Sequence, residues 1–371
     1  MMKLTIERGL LLKALSHVQS VVERRQTIPI LSNVLIETHG DEVSLRATDN
    51  EIEIVEKLPA SVEVQGRVTI PAHKLYDIVK KLPEGSQLQM AFVDETGQVA
   101  LVSGRSKFAL SSLPADGFPS IMQEEMPHTF TVNAKDMVNL IAKTGFAVSM
   151  EETRYNLNGI YMHEKKGTES KLTAVATDGH RLACAGIPLP EGAEGMPGVI
   201  IPRKTIGELA KLAAEINTDI DIALSTNQIR FTMGDVVLSS RLIDGTYPEY
   251  EKVIPMNNDK KLQADARTLT DVIERVSVVS EKSRGIKLSL KTGLLQVFAA
   301  SADEGSAEDE MDAIYDNESL EIGFNFRYLL DILSQVKSET VQMYLQDGTS
   351  PVILQDEADD NSLYVLMPMR V

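Results

Sequence analysis

The residues best suited to chemistry stand together in Ala176-Thr-Asp-Gly-His-Arg-Leu-Ala183. His180 and Asp178, an imidazole and a carboxylate two residues apart, are the parts of an acid–base pair. No nucleophile or third group stands at a recognisable spacing from them, so a hydrolase reading has a base and nothing for it to activate. A binding or structural role suits the same residues better. Asp178-Gly179 separates two apolar runs, Leu172 to Ala176 and Leu182 to Ile187. That is a hairpin signal, because Gly accepts the positive φ that tight turns require. The turn is expected to bring His180 and Arg181 beside Thr177 at a strand end. The sequence has no phosphate loop, dinucleotide fingerprint or His-Glu-x-x-His. The acidic run Asp303, Glu304, Glu308, Asp309, Glu310 lacks calcium-loop order and reads as a solvated loop. No catalytic residue, metal or cofactor is expected.

The elements that must position this hairpin recur along the chain. In the first copy Leu11, Leu15, Val18 and Val22 mark a helix, strands lead to Asp49-Asn50, and Pro71 opens a second helix through Leu75, Ile78, Val79 and Leu82. The order restarts near Thr129. Asp49 and Asp178 lie 129 positions apart, Pro71 and Pro202 131, and Pro119 and Pro248 129. A nearly constant offset at unlike landmarks indicates internal duplication. A third, more diverged copy runs from Lys261 to the C-terminus, with the acidic run 302–312 where the Asp-Gly turn stood. So long a period makes each copy a whole domain. The expected division is 1–125, 126–255 and 256–371. The class is α+β, with three similar domains, each placing two helices on antiparallel sheet.

Of the 371 residues 43% are hydrophobic, and the formal net charge is −17. No apolar run approaches the ~20 residues of a membrane span. The N-terminus does not read as a signal peptide, and the single cysteine, Cys184, fits a reducing cytoplasm. The net charge argues against a surface that coats DNA throughout, but it leaves room for a cationic strip. The inferred helices are richer in Lys and Arg than the chain, with Arg24, Arg25, Lys74, Lys80 and Lys81 in the first copy. Taken singly each is an ordinary solvated face; six sharing the bias point to a shared phosphate-contacting surface.

Several motifs, read together, resemble one family. They are Thr27-Ile-Pro-Ile-Leu-Ser-Asn33, Arg154-Tyr-Asn-Leu-Asn-Gly159, the Ala176–Ala183 stretch, Asp244-Gly-Thr-Tyr-Pro248 and Tyr364-Val-Leu-Met-Pro-Met-Arg-Val371. In collinear order from end to end, the chain is similar to the bacterial sliding clamps, the β subunits of replicative DNA polymerase holoenzymes. The resemblance implies the DNA clamp fold and a head-to-tail homodimer closed into a six-domain ring around duplex DNA. The ring is without enzymatic activity and tethers the polymerase by topology.

The resemblance also implies a pocket for short apolar peptides of the polymerase α subunit, the clamp loader, other polymerases and repair proteins. Its walls here would be Leu157, Thr177, Gly179, His180, Arg181, Leu182, Pro248, Val253, Val365, Met367, Pro368 and Met369, with Arg154 and Arg370 nearby. Met suits such a site because it repacks around different guests. Arg25, His73, Arg154 and Tyr155 are the implied DNA contacts. Phe108 and Leu110 are one side of the dimer seam, Val278 and Val279 the other. The chain departs from the family at Lys252, where Arg is frequent, and at Asn156, where an aromatic residue occurs. An acidic repeat scaffold that binds only proteins is the alternative reading.

Overall fold

The computed structural model describes residues 2–25, 27–93, 96–121 and 124–370. It divides into two compact units, residues 1–137, 191–193 and 204–242 in one and 138–190, 194–203 and 243–371 in the other. The boundary runs through the middle repeat, so each unit holds parts of two copies.

The first unit contains a five-stranded and an eight-stranded antiparallel sheet. Helices α1 (Arg8–Val18) and α2 (Ala72–Lys81) pack on each other. The predicted periodic positions Leu11, Leu15 and Val18 are buried on α1, as are Leu75 and Val79 on α2. Val22 is buried but extended, past the short turn Gln19–Val21, so the first helix ends before Val22, Arg24 and Arg25, which corrects their placement on it. Pro71 stands one position earlier than expected, at the N-cap of α2. The second unit repeats the plan with an eight-stranded and a four-stranded sheet. Helices α5 (Ala266–Ser277) and α6 (Phe326–Leu333) pack together there. Two further helices, α3 (Ala134–Gly145) and α4 (Arg203–Ala214), belong to the middle copy.

Both eight-stranded sheets are built in the same way. In the first, Ile52–Pro59 of copy one pairs with Val236–Arg241 of copy two. In the second, Arg181–Pro188 of copy two pairs with Ser362–Leu366 of copy three. Each time the strand after the Asp turn takes the final strand of the next copy, so two four-stranded halves become one sheet. The corresponding strand of copy three is Gly305–Asp312, an edge of the four-stranded sheet. It pairs with Leu294–Ser301 from Gly305 to Asp312. Most of the acidic run is therefore an edge strand, which corrects its reading as a solvated loop. Its carboxylates alternate around backbone that the sheet already bonds on one side, where periodicity was masked by charge.

The duplication extends to single hydrogen bonds. In copy one the Thr48 hydroxyl donates to the Ile52 carbonyl at 2.8 Å and accepts from the Asn50 N–H at 3.0 Å. In copy two the Thr177 hydroxyl donates to the Arg181 carbonyl at 2.7 Å and accepts from the Gly179 N–H at 3.1 Å. Asp49 Oδ1 accepts from the next two free backbone N–H groups, as does Asp178 Oδ1. The residue after each Asp is left-handed, Asn50 at φ 80° and Gly179 at φ 87°. Asn tolerates that conformation because its short polar side chain bonds locally.

Candidate functional site

The hairpin is positioned by Lys171–Thr177 and Arg181–Pro188, paired from Lys171 with Pro188 to Thr177 with Leu182. Its turn is held by the bonds just described, which commit Asp178. One oxygen of that carboxylate caps the backbone and the other accepts from Arg181 Nε at 3.1 Å. His180 is exposed, and its ring stacks at 6.1 Å from that of Tyr328. The arrangement fixes a turn; it does not present Asp178 to His180 as a proton-transfer partner.

Arg181 is the node of the site. Its guanidinium donates to Asp331 at 2.5 Å and to the Phe146 carbonyl at 2.6 Å. It also lies 4.4 Å from the Tyr328 ring centroid and 5.0 Å from that of Phe146. A planar fork can satisfy three acceptors while its faces stack on rings, which a Lys ammonium cannot do. Gly179 lies under Arg154, and a Cβ there would come within 2.7 Å of the Arg154 Nη1.

Behind the turn lies an apolar cluster of Leu157, Val175, Leu182, Ile200, Tyr247, Tyr250 and Val365. Three predicted pocket residues, Leu157, Leu182 and Val365, are therefore buried floor, while Val253 (54%) and Met367 (44%) stay exposed at the surface. Pro248 and Arg370 are exposed; Thr177, Pro368 and Met369 are half-buried. The tail is tied in by its backbone, Met367 N–H to the His180 carbonyl at 2.9 Å and Met369 N–H to the Gly323 carbonyl at 2.8 Å. Asn156, one of the two departures, donates to the Thr246 carbonyl at 3.0 Å; the other, Lys252, pairs with Glu249 on the surface.

Sequence reasoning missed the aromatic wall. Tyr161 and Tyr247 stack 4.7 Å apart and 6° from parallel, and Tyr250 donates or accepts at His163 Nε2 across 3.0 Å. Burial pushes the Tyr247 and Tyr250 hydroxyls up, and it lowers the His163 imidazole. Tyr247 lies inside the quoted Asp244–Pro248 motif, which carried the signal. Asp331, Tyr328 and Phe146 had none, because their relation to Arg181 is wholly tertiary.

The predicted DNA contacts fall into two kinds. Arg25, with Arg24, is exposed and makes no ion pair among the described residues, and the same holds for Lys74, Lys80 and Lys81. His73 has both ring nitrogens taken, Nδ1 by Gln19 at 2.7 Å and Nε2 by the Val22 carbonyl at 2.9 Å. Arg154 pairs with Glu151 at 3.1 Å, and Tyr155 is 59% exposed. Of the seam residues, Phe108 and Leu110 are half-buried on the edge strand Ser106–Ser111. Val278 is exposed and Val279 half-buried, just after α5. The described residues contain no group of three or more metal-ligating side chains, and no helix among them is long and apolar enough to cross a membrane.

Three copies of one unit, joined through shared sheets with a buried apolar cluster beside the second join, define a protein of repeated clamp-type domains. The family models for the N-terminal, central and C-terminal domains of the DNA polymerase III beta subunit match residues 2–122, 131–249 and 251–370. The chain belongs to this family. It is 46% identical over 372 residues to the beta sliding clamp of Caulobacter vibrioides and 37% identical over 374 residues to that of Escherichia coli, with all of both chains covered in each case. A solved sliding clamp from Bartonella birtlesii, bound to griselimycin, superposes with a TM-score of 0.97 at 46% identity, again over the whole of both chains.

Proposed function

We propose that two copies of this chain close head to tail around duplex DNA and hold the replicative polymerase on its template. The observation that carries the ring is the way the large sheets are joined. Applied once more, the same rule pairs the free edge Gly305–Asp312 of one chain with the free edge Ser106–Ser111 of another. The first edge bears Glu308, Asp309, Glu310 and Asp312; the second bears Lys107, with Arg105 beside it. Such a contact is heterologous, and two of them close a ring. Phe108 and Leu110 would face Val278 and Val279 across it.

Each ring then holds six domains, with the chain divided at 1–125, 126–255 and 256–371. The unpaired cations, Arg25 beyond the first helix and Lys74, Lys80 and Lys81 on α2, contact phosphates weakly and without a sequence code, which lets the ring slide. Arg154 and Tyr155 add contacts, and His73 contributes by holding Gln19 and the Val22 carbonyl. The apolar site takes one peptide at a time from the polymerase α subunit, the clamp loader, other polymerases or repair proteins. A polymerase that lets go stays at high effective concentration and rebinds, which is the physical content of processivity. The protein performs no reaction of its own and works in the cytoplasm.

The test is topological. A loaded ring should stay on a nicked circle through a salt wash and leave once the circle is cut. Equal loss from cut and uncut circles would favour an acidic scaffold that binds proteins alone.

A further inference from the structure

The outer face of the second unit's large sheet continues beyond the peptide site. Thr173 pairs with Gly186, and Cys184 pairs with both Val175 and Leu363. Directly opposed residues in a sheet share a face, so all of these lie on one face of the sheet. Cys184, Ile254 and Leu363 pack against the apolar cluster of the peptide site, and they also line a separate cavity of about 310 Å³.

Three lysines, Lys165, Lys166 and Lys171, stand at this cavity against two carboxylates, Glu169 and Asp360. Lys165 pairs with Glu251 at 3.4 Å and Lys171 donates to Asn361 at 2.7 Å. Lys166 makes no ion pair among the described residues. On the floor Thr173 is 2% exposed, and its hydroxyl has no hydrogen-bond partner. Buried hydroxyls rarely lack one. A Cβ on Gly186 would sit 3.4 Å from Lys171 Cδ and 3.5 Å from that hydroxyl. The flexible Lys171 stem thus lies near the hydroxyl and is the part able to swing aside.

We infer that this cavity receives an acidic side chain of the partner peptide, carried about four residues from the apolar anchor in the neighbouring site. Leu182 to Gly186 is four residues of strand, roughly 13 Å, and an extended peptide alongside covers that distance in the same number of residues. Lys166, which pairs with none of the described carboxylates, and the unpaired Thr173 donor both suit a carboxylate. This rests on the peptide-site reading above and adds a second point of recognition to it. The gain is an increment that salt screens, because the rim is open to water.

Three labelled peptides sharing one apolar anchor test it by fluorescence polarisation on the intact protein. One carries Glu-Glu four residues before the anchor, one carries it four residues after, and the control carries Gln-Gln. One acidic peptide should bind about fivefold tighter than the control at low salt, the worth of one half-exposed ion pair. The advantage should shrink in moderate salt and vanish in the double variant Lys166→Gln/Lys171→Gln, which should bind the control normally. No gain from either acidic peptide, or a gain that survives in the double variant, overturns the inference. If none of the three binds the unaltered protein, the peptide site itself is wrong and this inference goes with it.

Discussion

The backbone N–H of Met367 donates to the carbonyl of His180 at 2.9 Å, so the exit of the last strand and the turn of the hairpin are one rigid piece. Residues far apart in sequence are therefore held together, with the Met367 side chain exposed while Leu182 and Val365 are buried.

Removal of residues 367–371 is expected to abolish binding of polymerase and clamp-loader peptides while leaving a dimer, because the proposed seam lies elsewhere. Met367→Ala keeps the backbone bond and should weaken peptide binding about tenfold, as for a partly exposed anchor residue. Peptide titration paired with mass in solution checks both. Full peptide affinity in the truncated dimer would show that the tail is not a wall of the pocket.

Arg181→Ala would leave Asp178 Oδ2, Asp331 and the Phe146 carbonyl without the guanidinium donor in a site where the Arg181 side chain is only 9% exposed. Removing one partner of such a network costs about 3 kcal/mol. Arg181→Lys should recover only part of it, since one ammonium cannot serve all three acceptors or stack on both rings. Urea unfolding measures the loss; a change below about 1 kcal/mol in the alanine variant would mean that exposed Asp331 and water take over the network.

Phe108→Asp should yield monomers, because a carboxylate buried in the seam without a partner costs several kcal/mol. Sedimentation at dilute concentration reads the outcome directly. An unchanged dimer would move the seam off the strand Ser106–Ser111.

His17 is predicted to make the first unit pH-sensitive. Its Nδ1 lies 2.7 Å from Glu56 and its Nε2 3.1 Å from Glu215, which Lys13 also approaches at 3.4 Å. Burial lowers its pKa, but the bonds and charges of Glu56 and Glu215 together outweigh this and leave it raised above 6.5. With the folded value raised, the stabilisation is fully present below the unfolded pKa of about 6.5 and is lost as pH rises through the folded one. His17→Gln should flatten that part of the stability curve. A parallel decline in both proteins across the window would assign the pH dependence to other groups.

Much of this protein was written in local sequence. The triplication, the helix faces and the Asp-Gly turn were legible because each rests on spacing within a few residues: 3.6-residue periodicity buries Leu11, Leu15 and Val18, and a turn needs its Gly or Asn wherever it stands. The pocket residues were legible through their motifs, but not which of them face solvent. Leu182 and Val365 are floor, and Met367 is rim, only because Arg181–Pro188 takes Ser362–Leu366 as its neighbour. The equivalent pairing of Ile52–Pro59 with Val236–Arg241 carries the other large sheet from copy one to copy two. The acidic run is an edge strand because Gly305–Asp312 pairs with Leu294–Ser301 on one side only, a tertiary fact that a series of carboxylates hid in the sequence. Strand partners and the company of a buried guanidinium depend on contacts between distant segments. Local propensity says which residues can be strands; only the packing of whole copies against one another decides which strands meet.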